Sequence, residues 1–232
     1  MVNIGDKPII WHIMKIYSFY GVHDFIVCLG YKGDSIINYF KTQLQTISFQ
    51  RNVSKSKVNT KIVYMDEEIE WNINLVDTGI DTLTAKRLYE VREFIDPDIN
   101  LVTYGDGLAN INIAELIKFH KKHKKPATVS VTKPVGRFGV ISTDSQDLVT
   151  HFNEKPRSTE WVNCGFFVFD AEIFNYFNQN EYLEHAPMSK LTDEKKIVAF
   201  KHEEFWAVMD TYREYLKLNE IWDSGSAPWK VW

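Results

Sequence analysis

The chain has 232 residues, of which 44% are hydrophobic and 14% aromatic, ample for the core of one α/β domain spanning 1–232. Lys and Arg number 27 against 31 Asp and Glu, a net charge of -4 with no basic block, which argues against a nucleic-acid binder because neutralising several phosphates takes clustered cations. No apolar run is long enough to span a bilayer and the N-terminus lacks a cleavable leader pattern, so the expected location is the cytoplasm and no membrane partner is expected.

Asp6 and Pro8 open a helix whose Ile9, Ile10, Ile13, Met14, Ile16 and Tyr17 are spaced for burial, ending near Gly21. Phe25 to Leu29 is a continuous apolar run, hence a strand covered on both faces, and Gly30 and Gly33 turn it into a helix from about Asp34. Lys61 to Met65 and Trp71 to Val76 have strand character, with a turn at Asp77, Thr78 and Gly79. Leu83, Leu88, Val91 and Phe94 restore helical spacing before a strand at Asn100 to Tyr104, and Ile111 to His123 form the next helix. After Pro126 short strands follow at Ala127 to Thr132, Phe138 to Ser142, Leu148 to Phe152 and Trp161 to Phe169, a mixed or antiparallel extension of the sheet. Cys28 and Cys164 each lie within an apolar strand and are expected to stay unpaired thiols.

Two segments share one grammar. Asn100 to Tyr104 empties into Gly105, Asp106 and Gly107, and Phe205 to Met209 ends on Asp210 before another helical stretch. A central strand of an open α/β sheet ends at the crevice where ligands bind, so a carboxylate just past that end faces ligand. Two of them across one crevice are the usual protein share of a Mg²⁺ site in phosphoryl or nucleotidyl chemistry, with waters and phosphate oxygens completing it. The competing explanation is that each aspartate simply caps the helix after it.

Glu154 and Lys155 end another strand before Pro156; Lys155 can meet a phosphate and Glu154 can accept from sugar hydroxyls, although a solvated turn is the simpler account. Gly139, Asn163 and Gly165 fit a polar ligand wall more weakly. His120 and His123, three apart among lysines, read as a solvated helix face rather than a metal pair. Trp71, Trp161 and Trp206 read as core.

The stretches GDKPIIWHIMKIYS, FIVCLGYKGDSI, WNINLVDTG, TYGDG, GRFGVI, NEKP, NCGFFVFD, FWAVMDT and SGSAPWKVW run from Met1 to Trp232. Together they resemble the sugar-1-phosphate nucleotidyltransferases, and WNINLVDTG with APWKVW points to the cytidylyltransferase branch. The resemblance implies a Rossmann-like mixed sheet with helices on both faces, in which glucose 1-phosphate attacks the α-phosphorus of CTP and pyrophosphate leaves. CDP-glucose for deoxysugar or surface polysaccharide synthesis would be the product. It implies Asp106 and Asp210 as Mg²⁺ ligands, with Asp106 and Lys155 as catalytic residues. Glu154, Lys155, Gly139 and Asn163 would bind the sugar phosphate, Thr82, Arg87 and Gly105 the nucleotide, in a homo-oligomer.

Members of that family begin with a strand and a glycine-rich loop, G-G-x-G-T-R-L, and this chain starts at the methionine just after the corresponding point. Ala85 and Lys86 stand where the family has two glycines, and Ala186 where an acidic residue precedes the proline. The expectation is therefore a fold lacking its first strand, in which Phe25 to Leu29 and Asn100 to Tyr104 do not pair with each other. Whether the chain is active, or is an inactive sugar-phosphate-binding or oligomerisation partner, stays open on the sequence.

Overall fold

The structure, a computed structural model, describes residues 1–53 and 58–232. A small antiparallel pair, β1 (Asn3–Ile4) and β2 (Lys7–Pro8), leads into α1 (Ile9–Phe19). Then come β3 (Asp24–Leu29), α2 (Gly33–Thr42), β4 (Thr46–Val53), β5 (Val58–Asp66), β6 (Ile69–Asp77) and α3 (Thr84–Glu90). β7 (Ile99–Thr103), β8 (Gly107–Ala109), α4 (Ile113–His123) and β9 (Ala127–Thr132) precede a hairpin of β10 (Val140–Thr143) and β11 (Val149–Asn153). The chain closes with β12 (Val162–Asp170), a 3-10 stretch over Ala171–Phe177, α5 (Ala186–Asp193), β13 (Ile197–Lys201), β14 (Trp206–Val208) and α6 (Tyr212–Asp223). No helix among the described residues is long and apolar enough to cross a membrane.

The strands form two four-stranded sheets, ordered β3-β6-β5-β4 and β13-β9-β12-β7. The β3–β6 and β13–β9 pairs are parallel and the rest antiparallel, so the architecture is mixed α/β as expected. Among the described residues β3 pairs only with β6 and β7 only with β12, so those two strands do not pair with each other. Asp210 does not terminate a strand of the β7 sheet, as the strand-end argument supposed. Its strand β14 pairs with β8 in a separate two-stranded ladder, because the chain after Asp106 continues as strand instead of entering a helix at once.

α1 is buried nearly all round, which suits its run of large apolar residues. Ile13, Ile16 and Tyr17 pack with β8, β12 and the C-terminal Trp229, while Trp11 and Met14 pack with β5 and β6 around Trp71. The helix thus joins the cores beside both sheets. A third core lies under α3 and α5, built on Phe167, Phe169 and Phe177.

Within this apolar setting Lys15 reaches Asp66 Oδ2 at 2.5 Å, both side chains being about 5–6% exposed, and Trp11 Nε1 donates to Asp66 Oδ1 at 3.0 Å. Breaking a buried ion pair strands the surviving charge. Asp66→Asn should accordingly cost about 3–5 kcal/mol in urea unfolding, and pairing it with Lys15→Met should recover most of the loss. A single variant as stable as the parent would show that Glu67, 3.2 Å from the same ammonium, suffices.

The expectation for the histidine pair fails. His120 is 3% exposed and bonds Thr128 Oγ1 (2.8 Å) and Asp170 Oδ1 (2.9 Å), while His123 Nε2 meets the same Thr128 hydroxyl at 2.7 Å. His120 shares the face of Ile113 and Leu116, seven and four positions before it, and that stripe packs on the sheet. Trp71 is core as expected, and Trp206 is half-buried. Trp161 is only half-buried, with the Lys133 and Lys201 ammoniums 4.9 and 5.1 Å from its ring centre. Both cysteines are free; burial pushes the Cys28 thiol to about 11 and the Cys164 thiol to about 12, so neither is a nucleophile at neutral pH.

Candidate active site

Asp106 and Asp210 are brought together by backbone. The β8–β14 ladder pairs Val208 with Gly107, and Met209 N–H extends it by donating to the Asp106 carbonyl at 2.9 Å. Burial pushes the Asp106 carboxyl above its ordinary range and the charge of Asp210 pushes the same way, so the two carboxylates feel each other.

Neither aspartate caps a helix. Thr211 is the N-cap of α6, its hydroxyl accepting from Glu214 N–H, and the Glu214 carboxylate accepts back from the N–H of Asp210 and Thr211, each at 3.0 Å. α4 is capped by Asn112, six residues beyond Asp106. The strand ends thus present two carboxylates released from capping. Two adjacent hard oxygen donors, one of them a carboxyl raised by burial and by its neighbour's charge, suit a divalent cation such as Mg²⁺. No cluster of three or more His, Cys, Asp or Glu able to hold a metal occurs among the described residues, so the remaining ligands would come from water and substrate.

A second group sits at the root of the β10–β11 hairpin. Lys155 Nζ pairs with Glu154 Oε1 at 2.8 Å, and a Cβ on Gly139 would lie 2.9 Å from Glu154 Oε2 and from the Phe152 ring, so a side chain there would push the ends of both aside. Lys155 adopts φ 48°, a left-handed conformation uncommon for a side-chain-bearing residue. Arg137, just ahead of this segment, donates to Glu214 Oε1 at 2.8 Å. Burial works to raise the Glu214 carboxyl, but the Asp210 and Thr211 N–H groups, the Thr211 hydroxyl and Arg137 hold it below its ordinary range. Through Glu214 the hairpin root is tied to the turn that carries Asp210.

Gly105 immediately precedes Asp106, and Asn163 is joined to Tyr104, two residues before Asp106. β12 runs antiparallel to β7, Tyr104 N–H donates to Gly165 O at 3.1 Å, and Asn163 Nδ2 reaches the Tyr104 hydroxyl at 3.1 Å. Gly165 has φ +80°, and a Cβ there would come within 2.7 Å of the Tyr104 ring. Trp206 Nε1 donates to Cys164 O at 2.9 Å and clamps β12 to β14.

Thr82 and Arg87 form a separate network at the ends of β3 and β6. Arg87 donates to Leu29 O (2.9 Å), Thr78 Oγ1 (2.6 Å) and Ile80 O (3.4 Å), and Thr82 Oγ1 donates to Thr78 O at 2.5 Å. Arg87 here holds two strand ends together. No hydrogen bond joins this network to Asp106 among the described residues; it connects to the carboxylate side through the segment 180–184. There Leu83 N–H meets Asn180 Oδ1 (2.9 Å), Ala85 N–H meets Glu181 O (3.1 Å) and Leu183 N–H meets Thr84 Oγ1 (2.8 Å). Glu184, which follows, accepts from the Tyr104 hydroxyl. Glu184 lies in no stretch that marks it in the sequence, and Arg137, although within GRFGVI, is not among the site residues that the resemblance implies.

Mixed sheets flanked by helices form the α/β fold of a Rossmann-like nucleotidyltransferase. The chain belongs to the nucleotidyl transferase family, which it matches over residues 1–220. It is 40% identical over 238 aligned positions to a glucose-1-phosphate cytidylyltransferase of Salmonella typhi, covering 100% of this chain and 90% of that protein. A probable glucose-1-phosphate cytidylyltransferase of Bacillus subtilis is 37% identical, with 100% and 91% covered. Among solved structures, HddC from Yersinia pseudotuberculosis superposes with a TM-score of 0.69 at 18% identity over 96% of this chain and 88% of that one, a likeness of fold.

Proposed function

We propose that this chain transfers the cytidylyl group of CTP to glucose 1-phosphate, releasing CDP-glucose and pyrophosphate. The observation that supports the assignment is the pair of uncapped strand-end carboxylates, Asp106 and Asp210, the second on a turn whose Glu214 is bonded to Arg137, ahead of the hairpin that leads to Glu154 and Lys155. It occurs in a chain 40% identical along its length to a glucose-1-phosphate cytidylyltransferase.

Asp106 and Asp210 would hold Mg²⁺, which when bound supplies charge neutralisation to the phosphates. Lys155 places a point charge against the phosphate of the sugar, and Glu154 accepts from a sugar hydroxyl over Gly139. Asn163 faces the sugar from β12. Gly105, with no side chain before Asp106, leaves room on the nucleotide side, where Thr82 and the strand ends braced by Arg87 form the far wall. Such a reaction is mostly positioning and electrostatics, so the absence of an activated thiol is no obstacle. A cytoplasmic, self-associating single-domain enzyme belongs to the same proposal.

Incubation of the purified chain with glucose 1-phosphate, MgCl₂ and each nucleoside triphosphate in turn tests it. Pyrophosphate release with CTP in preference to UTP, ATP or dTTP, together with CDP-glucose by mass spectrometry, is the expected result. Calorimetric binding of glucose 1-phosphate with no turnover on any nucleotide would instead make the chain a sugar-phosphate-binding partner.

A further inference from the structure

Among the groups at the site, one chain of hydrogen bonds has a direction set from both ends. Glu184, as a carboxylate, only accepts, so the Tyr104 hydroxyl must donate its single proton there. The Tyr104 oxygen is then left to accept, and its partner at 3.1 Å is Asn163 Nδ2. Asn163 Oδ1 in turn accepts from Gly165 N–H at 2.8 Å, which sets the same amide orientation from the opposite side. The second Asn163 N–H has no hydrogen-bond partner among the described residues, and Asn163 is exposed to solvent.

Glu184 is not a loose surface acid. The segment before it is stapled to the start of α3 by Leu83 to Asn180, Ala85 to Glu181 and Leu183 to Thr84. Tyr104 is equally constrained, its ring resting against Gly165, where any side chain would collide with it.

We propose that Glu184 and Tyr104 are positioning residues that lock the Asn163 amide with an N–H facing the sugar of the sugar 1-phosphate. The proposal rests on the reaction assigned above and adds two residues and a direction to it. Asn163 offers the substrate a donor and so favours a hydroxyl presented as acceptor. Because the Glu184 segment is bonded to α3, the orientation of the sugar wall is mechanically joined to the helix that follows Thr82.

The test compares Tyr104→Phe, Glu184→Ala and Glu184→Gln with the parent by steady-state kinetics, melting temperature and calorimetric binding of glucose 1-phosphate. Tyr104→Phe and Glu184→Ala should raise KM for glucose 1-phosphate by about 3- to 10-fold, the effect of losing one orienting hydrogen bond, with kcat within about twofold and KM for CTP unchanged. Glu184→Gln should stay near the parent, because its amide oxygen still accepts from Tyr104. In an Asn163→Ala background, Tyr104→Phe should have no further effect on KM. An active parent whose sugar KM ignores Tyr104→Phe and Glu184→Ala overturns the proposal alone. So does a Glu184→Gln as impaired as Glu184→Ala, which would place the charge on the substrate directly. A parent that neither turns over nor binds glucose 1-phosphate overturns the assigned function, and this proposal with it.

Discussion

Asp210→Asn should lower turnover roughly 10²- to 10³-fold while making the metal-free protein more heat-resistant. The first effect follows from losing a ligand to a cation that contributes several kcal/mol of charge stabilisation. The second follows from Asp106, whose carboxyl is raised by burial and by the Asp210 charge. A carboxyl raised by folding binds its proton more tightly in the folded than in the unfolded protein. Its ionisation therefore removes stability as pH climbs from the ordinary carboxylate value through the raised one. Neutralising Asp210 removes one cause of that loss, so the melting temperature at pH 7 should rise. Added MgCl₂ should raise the melting temperature of the parent and leave Asp210→Asn unmoved. In the parent, Mg²⁺ affinity should weaken as pH falls through the raised Asp106 value, because the bound form needs both carboxylates ionised. Full activity in Asp210→Asn, or a parent indifferent to Mg²⁺, would remove the metal site.

Lys155→Ala should reduce turnover about 10²-fold, the scale of one lost electrostatic contact to a reacting phosphate. Stability should scarcely change. Lys155 is about half exposed, and its partner Glu154 is as open, so their ion pair contributes about 0–1 kcal/mol, a shift of about 2–4 °C at most. The left-handed backbone offers a control. Lys155→Gly relieves the positive φ at 48° and should melt no lower than Lys155→Ala, yet be equally inactive. Parallel losses of activity and melting temperature across the two variants would mark Lys155 as a structural residue.

The local elements were largely legible because their signals are local. The helix from Ile9, the strand to Leu29, the paired stretches ending at Met65 and Val76, and the helix after Asp210 all occur where periodicity put them, to within a few residues. Thr46–Val53 and Ala186–Asp193 carry no such signal, because polar residues interrupt the first and the helix is too short for its pattern to stand out, and the apolar run of Ile197–Lys201 is short and stands apart from the expected strands. The face of His120 was in the spacing from Ile113 and Leu116, but the surrounding lysines masked it.

Composition and local pattern marked the residues with chemistry to offer: carboxylates at Asp106 and Asp210 past apolar strands, and a Lys–Glu pair before a proline. They could not decide whether those aspartates were helix caps. Capping depends on where the helix begins, and that was settled by Thr211 and Glu214 for one and by the strand Gly107–Ala109 for the other. Tertiary structure alone brought Arg137 to Glu214, 77 positions away, and Tyr104 to Glu184, 80 positions away. Hydrogen bonds at that separation exist only once the sheets have placed their strand ends side by side, and no periodicity along the chain encodes them.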